Sequence, residues 1–485
     1  MKTLNFSIYY YTKSPIKMLV TYLALTLFTL STFLPNTVSA QVSSNEGDDL
    51  LMLIPSIINS IKSPPNNNSP QQPPSSQPQP NFGLNLCEGY LENDKTNRPM
   101  PTLTRPQPGA NYQDPIFGSK ITRVTNAGSI NSRIMRNLYS TIQAWNADET
   151  KMILWHRGEG HYLYDGKTYQ LISKLNIAPA DIEQVYWHHT NPDNFFYINS
   201  HVGSTVNTPT GPYRLNSKEL IRYSVSNEQH SIIKDFSEQC PNDPITSGDD
   251  AHMMSEDSDV IGLRCGAQGF SYRLSNDKIT LLPESANAVA PQPLPSGNRF
   301  YHLGKILNQN MVVERSLTLG NAREHASLGK LDTGDDAYFS VGFDANSSGS
   351  CNGAVGSLVV HDATNNDCSV LVGEATGYPY TLSGTHISAL ASQNPGWAAV
   401  SSVGYGIEGD SLLEQELYLA NTHVNNRTVC RIAHHRSAGG RGSIGYFAEP
   451  HPIISPSGTR ILFNSDWNNS GQVDAYVLEL PSYLN

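Results

Sequence analysis

Charge is scarce in this chain. Of its 485 residues only 15% are Asp, Glu, Lys or Arg, and 32 basic residues face 43 acidic ones, a net of −11. Coiled coils and long helical arrays, which run to Ala, Glu, Lys, Leu and Arg, are thereby excluded. So is a surface built wholly to bind nucleic acid or an anionic membrane, although one pocket on an acidic protein can still be basic. Cysteine occurs six times and never as CxxC, so no strong zinc motif is present. The G-x-S-x-G, H-E-x-x-H and sialidase Asp-box patterns are missing as well, which removes three hydrolase signatures.

What the chain does have is Gly, Pro and Tyr, the composition of a turn-rich, aromatic globular protein. It opens on Lys2, Lys13 and Lys17, then a nearly all-apolar stretch from Met18 to Leu34, then Val38-Ser39-Ala40. That order reads as a signal peptide over residues 1–40, with Gln41 the mature start and no Cys there for a lipid. An uncleaved anchor is the alternative, and the stretch is shorter than the ~20 residues a span prefers. A secreted or periplasmic location follows. Residues 41–118 read as a linker and N-terminal extension, and 63–82 are uncharged Pro, Asn, Gln and Ser that cannot bury a core. Export favours oxidised cysteines. Cys351 with Cys368 and Cys240 with Cys265 are the nearest pairs, and zinc held by Cys240, Cys265 and His252 is the competing reading.

From about residue 119 to 485 the chain reads as an all-β, seven-bladed β-propeller. Short β-rich runs are broken by Asn-Pro-Asp, Asp-Gly and Ser-Gly turns, as in STIQAW (140–145), KMILWHR (151–157), HYLYDG (161–166) and YQLIS (169–173). Later units start at QVYWHHTNPDN (184–194), DDAHMMSEDSD (249–259), near Asn298–Tyr301, and at REH (323–325), GTH (384–386) and EPH (449–451). The spacing, about 51 residues per unit, suits a four-stranded blade. Six or eight blades and a β-sandwich pair are the alternatives. The last unit lacks an outer strand, and SKITRVTN (119–126) is expected to supply it, which would remove an open edge.

Histidines recur at or near the start of the innermost strands: His252, His325, His386 and His451. Glu449 is two residues from His451, and residues i and i+2 of a strand share a face. Two imidazoles and a carboxylate, with His325 one blade away, suit zinc, with manganese or calcium as alternatives. His434 and His435 read as surface residues of an outer strand. A second set, His188, His189, His201, His252, Arg264 and Tyr301, is expected to face one groove across blades two to four. Such residues without a clear acid pair suit proton abstraction beside a carboxylate. Arg neutralises a uronate, His or Tyr takes the C5 proton, and an acid protonates the departing O4. That is β-elimination. Gln143, His161 and Arg299 are assigned to substrate contact.

The runs STIQAWNADE, YWHHTNPDNFFYI, EHASLGKLDTGDD, GTHIS with NPGWAAVSS, and EPHPIISPSGTRILFNSDW resemble exported seven-bladed polysaccharide lyases. The ulvan lyases come first and the oligogalacturonate lyases second. The first resemblance implies catalysis by His188 or His189, His201, Arg264 and Tyr301, with His252 standing where that family carries a Tyr. The second implies manganese among His386, His451 and Glu449, with Arg299 as neutraliser and His325 as base. The expected partner is an anionic polysaccharide, with no nucleic acid or membrane, met by a monomer. A non-catalytic glycan- or protein-binding propeller and a hydrolase are the other classes, and a glycosidase would need two placed carboxylates.

Overall fold

β-branched and aromatic runs between tight turns fold here into antiparallel meanders. In the first, Asn146 Oδ1 accepts from Lys151 N at 2.9 Å and closes the turn that launches Lys151–His156, which pairs with Gly160–Asp165. In this computed structural model the described residues run from 83 to 484, without 200, 288, 318–324, 343–350, 352–355, 366, 380–385, 403–406 and 424–425. The signal-peptide stretch and the Pro-rich segment lie outside them.

Seven sheets follow one another around a ring, as the repeat spacing predicts. Blade 1 comprises Met135–Arg136, Lys151–His156, Gly160–Asp165 and Leu171–Lys174. Blade 2 comprises Val185–Trp187, Asn194–Ile198, Glu219–Ser224 and Gln229–Asp235, with an extra hairpin, Val202–Thr208 and Gly211–Asn216, inserted after its second strand. Blade 3 has three regular strands, Val260–Cys265, Gln268–Arg273 and Lys278–Ser285; the run before them meets the first of these through the Thr246–Arg264 bridge and through bonds between Ser255 and Val260. Blades 4, 5 and 6 begin on Gln292–Pro293, Ala326–Lys330 and His386–Ser388. Blade 7 takes Ile453–Ile454, Arg460–Ser465 and Asp474–Glu479 from the end of the chain.

Lys120–Arg123 lies beside Asp474–Glu479, with Ile121 opposite Leu478, and Asn111–Gln113 adds a further strand outside it. Buried Asp474 holds this seam. Arg123 meets its carboxylate at 2.7 Å, Thr125 Oγ1 donates to it at 2.8 Å, and Arg105 adds another ion pair. The cores lie between blades: Phe195, Tyr197, Leu220 and Ile261 join blades 2 and 3, and Phe339, Val360, Val400 and Tyr418 join blades 5 and 6. Each blade therefore depends on its neighbours for burial.

Cys240 is bonded to Cys265 and Cys351 to Cys368, the two nearest pairs, and a third bond joins Cys87 to Cys430. The zinc alternative fails here, because Cys240 and Cys265 bind each other. The reading of His434 and His435 as surface residues also fails. Both are fully buried, since residues 83–118 pack over the outer side of blade 6: Asp114 Oδ2 accepts from His434 N, and the Phe117 ring lies 5.1 Å from that imidazole.

Candidate active site at one mouth of the ring

Each meander starts at the central channel, so the inner strands run the same way around the ring. Neighbouring blades are levelled by bonds such as Ala389 N to Ser327 Oγ (3.0 Å) and Ile454 N to Ser388 Oγ (3.1 Å). One mouth therefore collects the residues that begin inner strands, and the other collects those that end them.

The start mouth holds His325, His386 and His451. His386 opens its strand, while His325 and His451 sit just before theirs in the left-handed region, at φ +62° and +42°. A non-glycine residue there costs roughly 1–2 kcal/mol, and such strain gathers where side-chain direction matters. The imidazoles of His386 and His451 lie 3.9 Å apart, centre to centre, and His325 lies 4.8 Å from His386. Glu449 Oε2 is 3.5 Å from His386 Nε2. One donor atom from each of His386, Glu449 and His451 falls within 4.8 Å of the others.

Those two imidazoles are fully buried, and among the described residues no ring nitrogen of either has an acceptor or donor in hydrogen-bond geometry. Burial, then the charges of His325 and Arg136, holds His386 well below the ordinary histidine range. Burial, then His386, Arg136 and His325, does the same to His451 against a small opposing pull from the Tyr446 backbone. Both are neutral lone-pair donors. Buried polar atoms normally find partners, and ligands around one small cation stand about 3–3.5 Å apart given metal–nitrogen bonds of ~2.1 Å. The donor set fits a divalent cation.

Aromatic groups complete this mouth. The Tyr139 ring lies 5.0 Å from His451 and 5.5 Å from His386. Burial first, then Tyr446, Asp250 and Glu183, raises its phenol well above the usual value, so it keeps its proton. Tyr446 lies 4.9 Å from His451, and Arg136 is buried beside the imidazoles.

No protein-family model matches the chain, and no curated protein matches it. Among the solved structures that share its fold are two oligogalacturonate lyases. One is an oligogalacturonate lyase in complex with manganese, with TM-score 0.52 and 15% identity over 78% of this chain and 97% of that one. The other is an oligogalacturonate lyase from Vibrio parahaemolyticus, with TM-score 0.51 and 15% identity over 77% and 97%.

The early-blade set does not form one cluster. His188 and His189 follow the inner strand of blade 2, and with His252, Trp145 and Trp187 they line a small pocket open to solvent at the end mouth. His201, Arg264 and Tyr301 lie on or after second strands, which run back toward the start mouth. His201 is exposed on the way into the extra hairpin. Arg264 donates to Gly266 O at 2.8 Å and makes no ion pair with a carboxylate among the described residues. Tyr301 stacks on Tyr338, hydroxyls 3.2 Å apart. His252 Nε2 lies 3.6 Å from Asp250.

The residues assigned to substrate contact are also dispersed. Gln143 donates to Ile454 O at 2.9 Å inside the ring. Buried His161 bonds to Ile182 O at 2.8 Å. Arg299 pairs with Glu314 on the outer strand of blade 4 at 2.9 Å. Sequence reasoning missed Arg136, Tyr139 and Tyr446. The run RIMRNLYS precedes the first clear strand and carries no turn or histidine signal.

Proposed function

We propose that this chain is a lyase that cleaves uronic-acid saccharides by β-elimination at the start mouth. The observation that carries this reading is the pair of buried, neutral imidazoles of His386 and His451, whose ring nitrogens have no hydrogen-bond partner among the described residues, converging with the Glu449 carboxylate beside a third histidine. A divalent cation held there would supply positive charge that acidifies the C5 proton by drawing on the uronate carboxylate. The manganese named for the similar structure moves manganese ahead of zinc as the first metal to try.

The chain's own groups do the remaining work. His325, fixed in a left-handed backbone beside His386, is positioned to take the C5 proton. Tyr139, kept protonated by burial, is the candidate donor to the departing O4. The electron pair from the broken C5–H bond forms the 4,5 double bond as the O4 bond breaks, with no water consumed. Short galacturonate oligomers are the first substrate class, because the late blades supply the donor set. Ulvan comes second, because the set its family implied is divided between the two mouths. Three disulfides support action after export.

The test is ultraviolet absorbance, since elimination creates a conjugated unsaturated uronate and hydrolysis or binding does not. Pectate oligomers, sulfated ulvan and glucuronan should be screened with manganese, zinc and calcium in turn. Turnover should fall by about 10² or more in His325→Ala, the scale of a lost general base. Absence of absorbance with every pair sinks the lyase reading and leaves a binding propeller.

A further inference from the structure

Arg136 ends the short inner strand Met135–Arg136 of blade 1 and is fully buried. Its Nε donates to Asn137 O at 3.0 Å and one terminal nitrogen donates to Leu138 O at 2.5 Å. The other terminal nitrogen has no acceptor among the described residues. Among the described residues no carboxylate pairs with this guanidinium. Its charge instead bears on His386 and His451. A buried cation normally has an anion beside it, because leaving water uncompensated is costly.

Two rings stand where that anion is missing. The guanidinium lies 5.7 Å from the centre of Tyr446 and 5.8 Å from that of Phe447, and aromatic faces partly replace a counter-charge. Both belong to the 3-10 turn Gly445–Ala448, which with Gly439–Arg441 forms a glycine-rich strap between blades 6 and 7. Gly439 and Gly445 have φ +54° and +65°, conformations that suit glycine. Tyr446 remains 46% exposed, so its ring covers Arg136 from the solvent side.

We infer that Arg136 receives the carboxylate of the saccharide, on the wall shared with the His386–His451–Glu449 trio. This rests on the reading of the start mouth as a uronate site, and it moves the neutralising role from Arg264 or Arg299 to a residue of blade 1. The unused donor and the fixed charge match a planar carboxylate better than a lysine could. The Tyr446 ring gives way when the ligand enters. Arg136 is then a specificity-determining residue that separates a uronate from a neutral sugar.

The experiment compares trigalacturonate with its fully methyl-esterified form by calorimetry, on the complete protein loaded with manganese. Wild type should bind the acid at least about tenfold more tightly than the ester. In Arg136→Met the ratio of acid to ester affinity should fall about tenfold, with ester affinity and the manganese-induced rise in melting temperature unchanged. Arg136→Lys keeps the charge without the fork and should fall between; if the Met variant does not fold, this one carries the comparison. An unchanged ratio in the folded variant overturns the inference and leaves the lyase reading standing. Wild type that binds neither saccharide overturns both.

Discussion

If His386, His451 and Glu449 hold a cation, folding and metal binding are linked, and His386→Ala should cut that link. A ligand at about 100 times its dissociation constant adds about 2.7 kcal/mol to folding, and at 1,000 times about 4.1 kcal/mol. The unfolding entropy of roughly 370 described residues, at about 2.1 cal/mol/K each, is about 0.8 kcal/mol/K. The expected rise in melting temperature is therefore about 3 °C, and about 5 °C at the higher loading.

Without metal the same substitution should be nearly neutral. It removes packing against Tyr139, His325 and His451, which costs stability. It also removes two buried nitrogens without hydrogen-bond partners among the described residues, each of which costs about 1–3 kcal/mol to leave unsatisfied. The measurement is calorimetric melting of wild type and variant, each after chelation and again with manganese, zinc or calcium. Wild type should rise with at least one ion and the variant with none. An equal rise in both places the ion elsewhere and refutes the assignment.

Acid should destabilise the fold over a defined window. Burial pushes His161 and His361 from 6.5 down to about 4, so the unfolded chain takes up protons that the folded one refuses. Stability is complete above pH 6.5 and falls as pH drops toward 4, by up to about 2.7 kcal/mol per pH unit for the pair; urea midpoints at pH 7 and pH 5 that coincide would contradict this. Replacing both Cys87 and Cys430 by Ser should cost about 2–5 kcal/mol in urea unfolding, because the bond closes a separation of 343 residues. Arg264→Ala orphans no carboxylate, so its melting temperature should stay within about 1 °C of wild type; a large loss would reveal a structural role.

The ring was legible because each blade repeats the same punctuation, a turn at the channel and a run of β-branched or aromatic residues. Where that punctuation weakens, the regular pairing weakens too. The run at 246–254 contributes one bridge to blade 3, and the inner strand of blade 4 is only Gln292–Pro293. The hairpin after His201 escaped notice because VGSTVNT and GPYRLN interrupt a unit that already had four strands. His434 misled because its strand pattern shows an outer position but not the extension that covers it. Arg136 was invisible for a different reason. Its meaning comes from having no carboxylate partner among the described residues, and only three-dimensional neighbours reveal that.

The division of the early histidines follows from strand direction alone. In a meander that begins at the channel, the start of the first strand and the end of the second share a mouth, while the end of the first strand lies at the other. His188 and His201 were assigned to one groove although that rule puts them on opposite sides. Applied to the whole chain, it brings Glu183, just before the inner strand of blade 2, to the mouth that holds His325, His386 and His451, and the phenol of Tyr139 responds to it and to Asp250. The charges around Tyr139 are thus divided, with Glu183 and Asp250 from blades 2 and 3, Arg136 from blade 1, and Glu449 among the three histidines of the late blades. On the lyase reading, a uronate ring crossing this mouth would turn its carboxylate toward Arg136, where the charge is welcome. The acids on the far side would repel a second carboxylate held close to them, which favours uncharged or distant groups there. A substrate carrying neutral residues between uronates, tested beside one of uronates alone, therefore probes the same polarity from the sugar side.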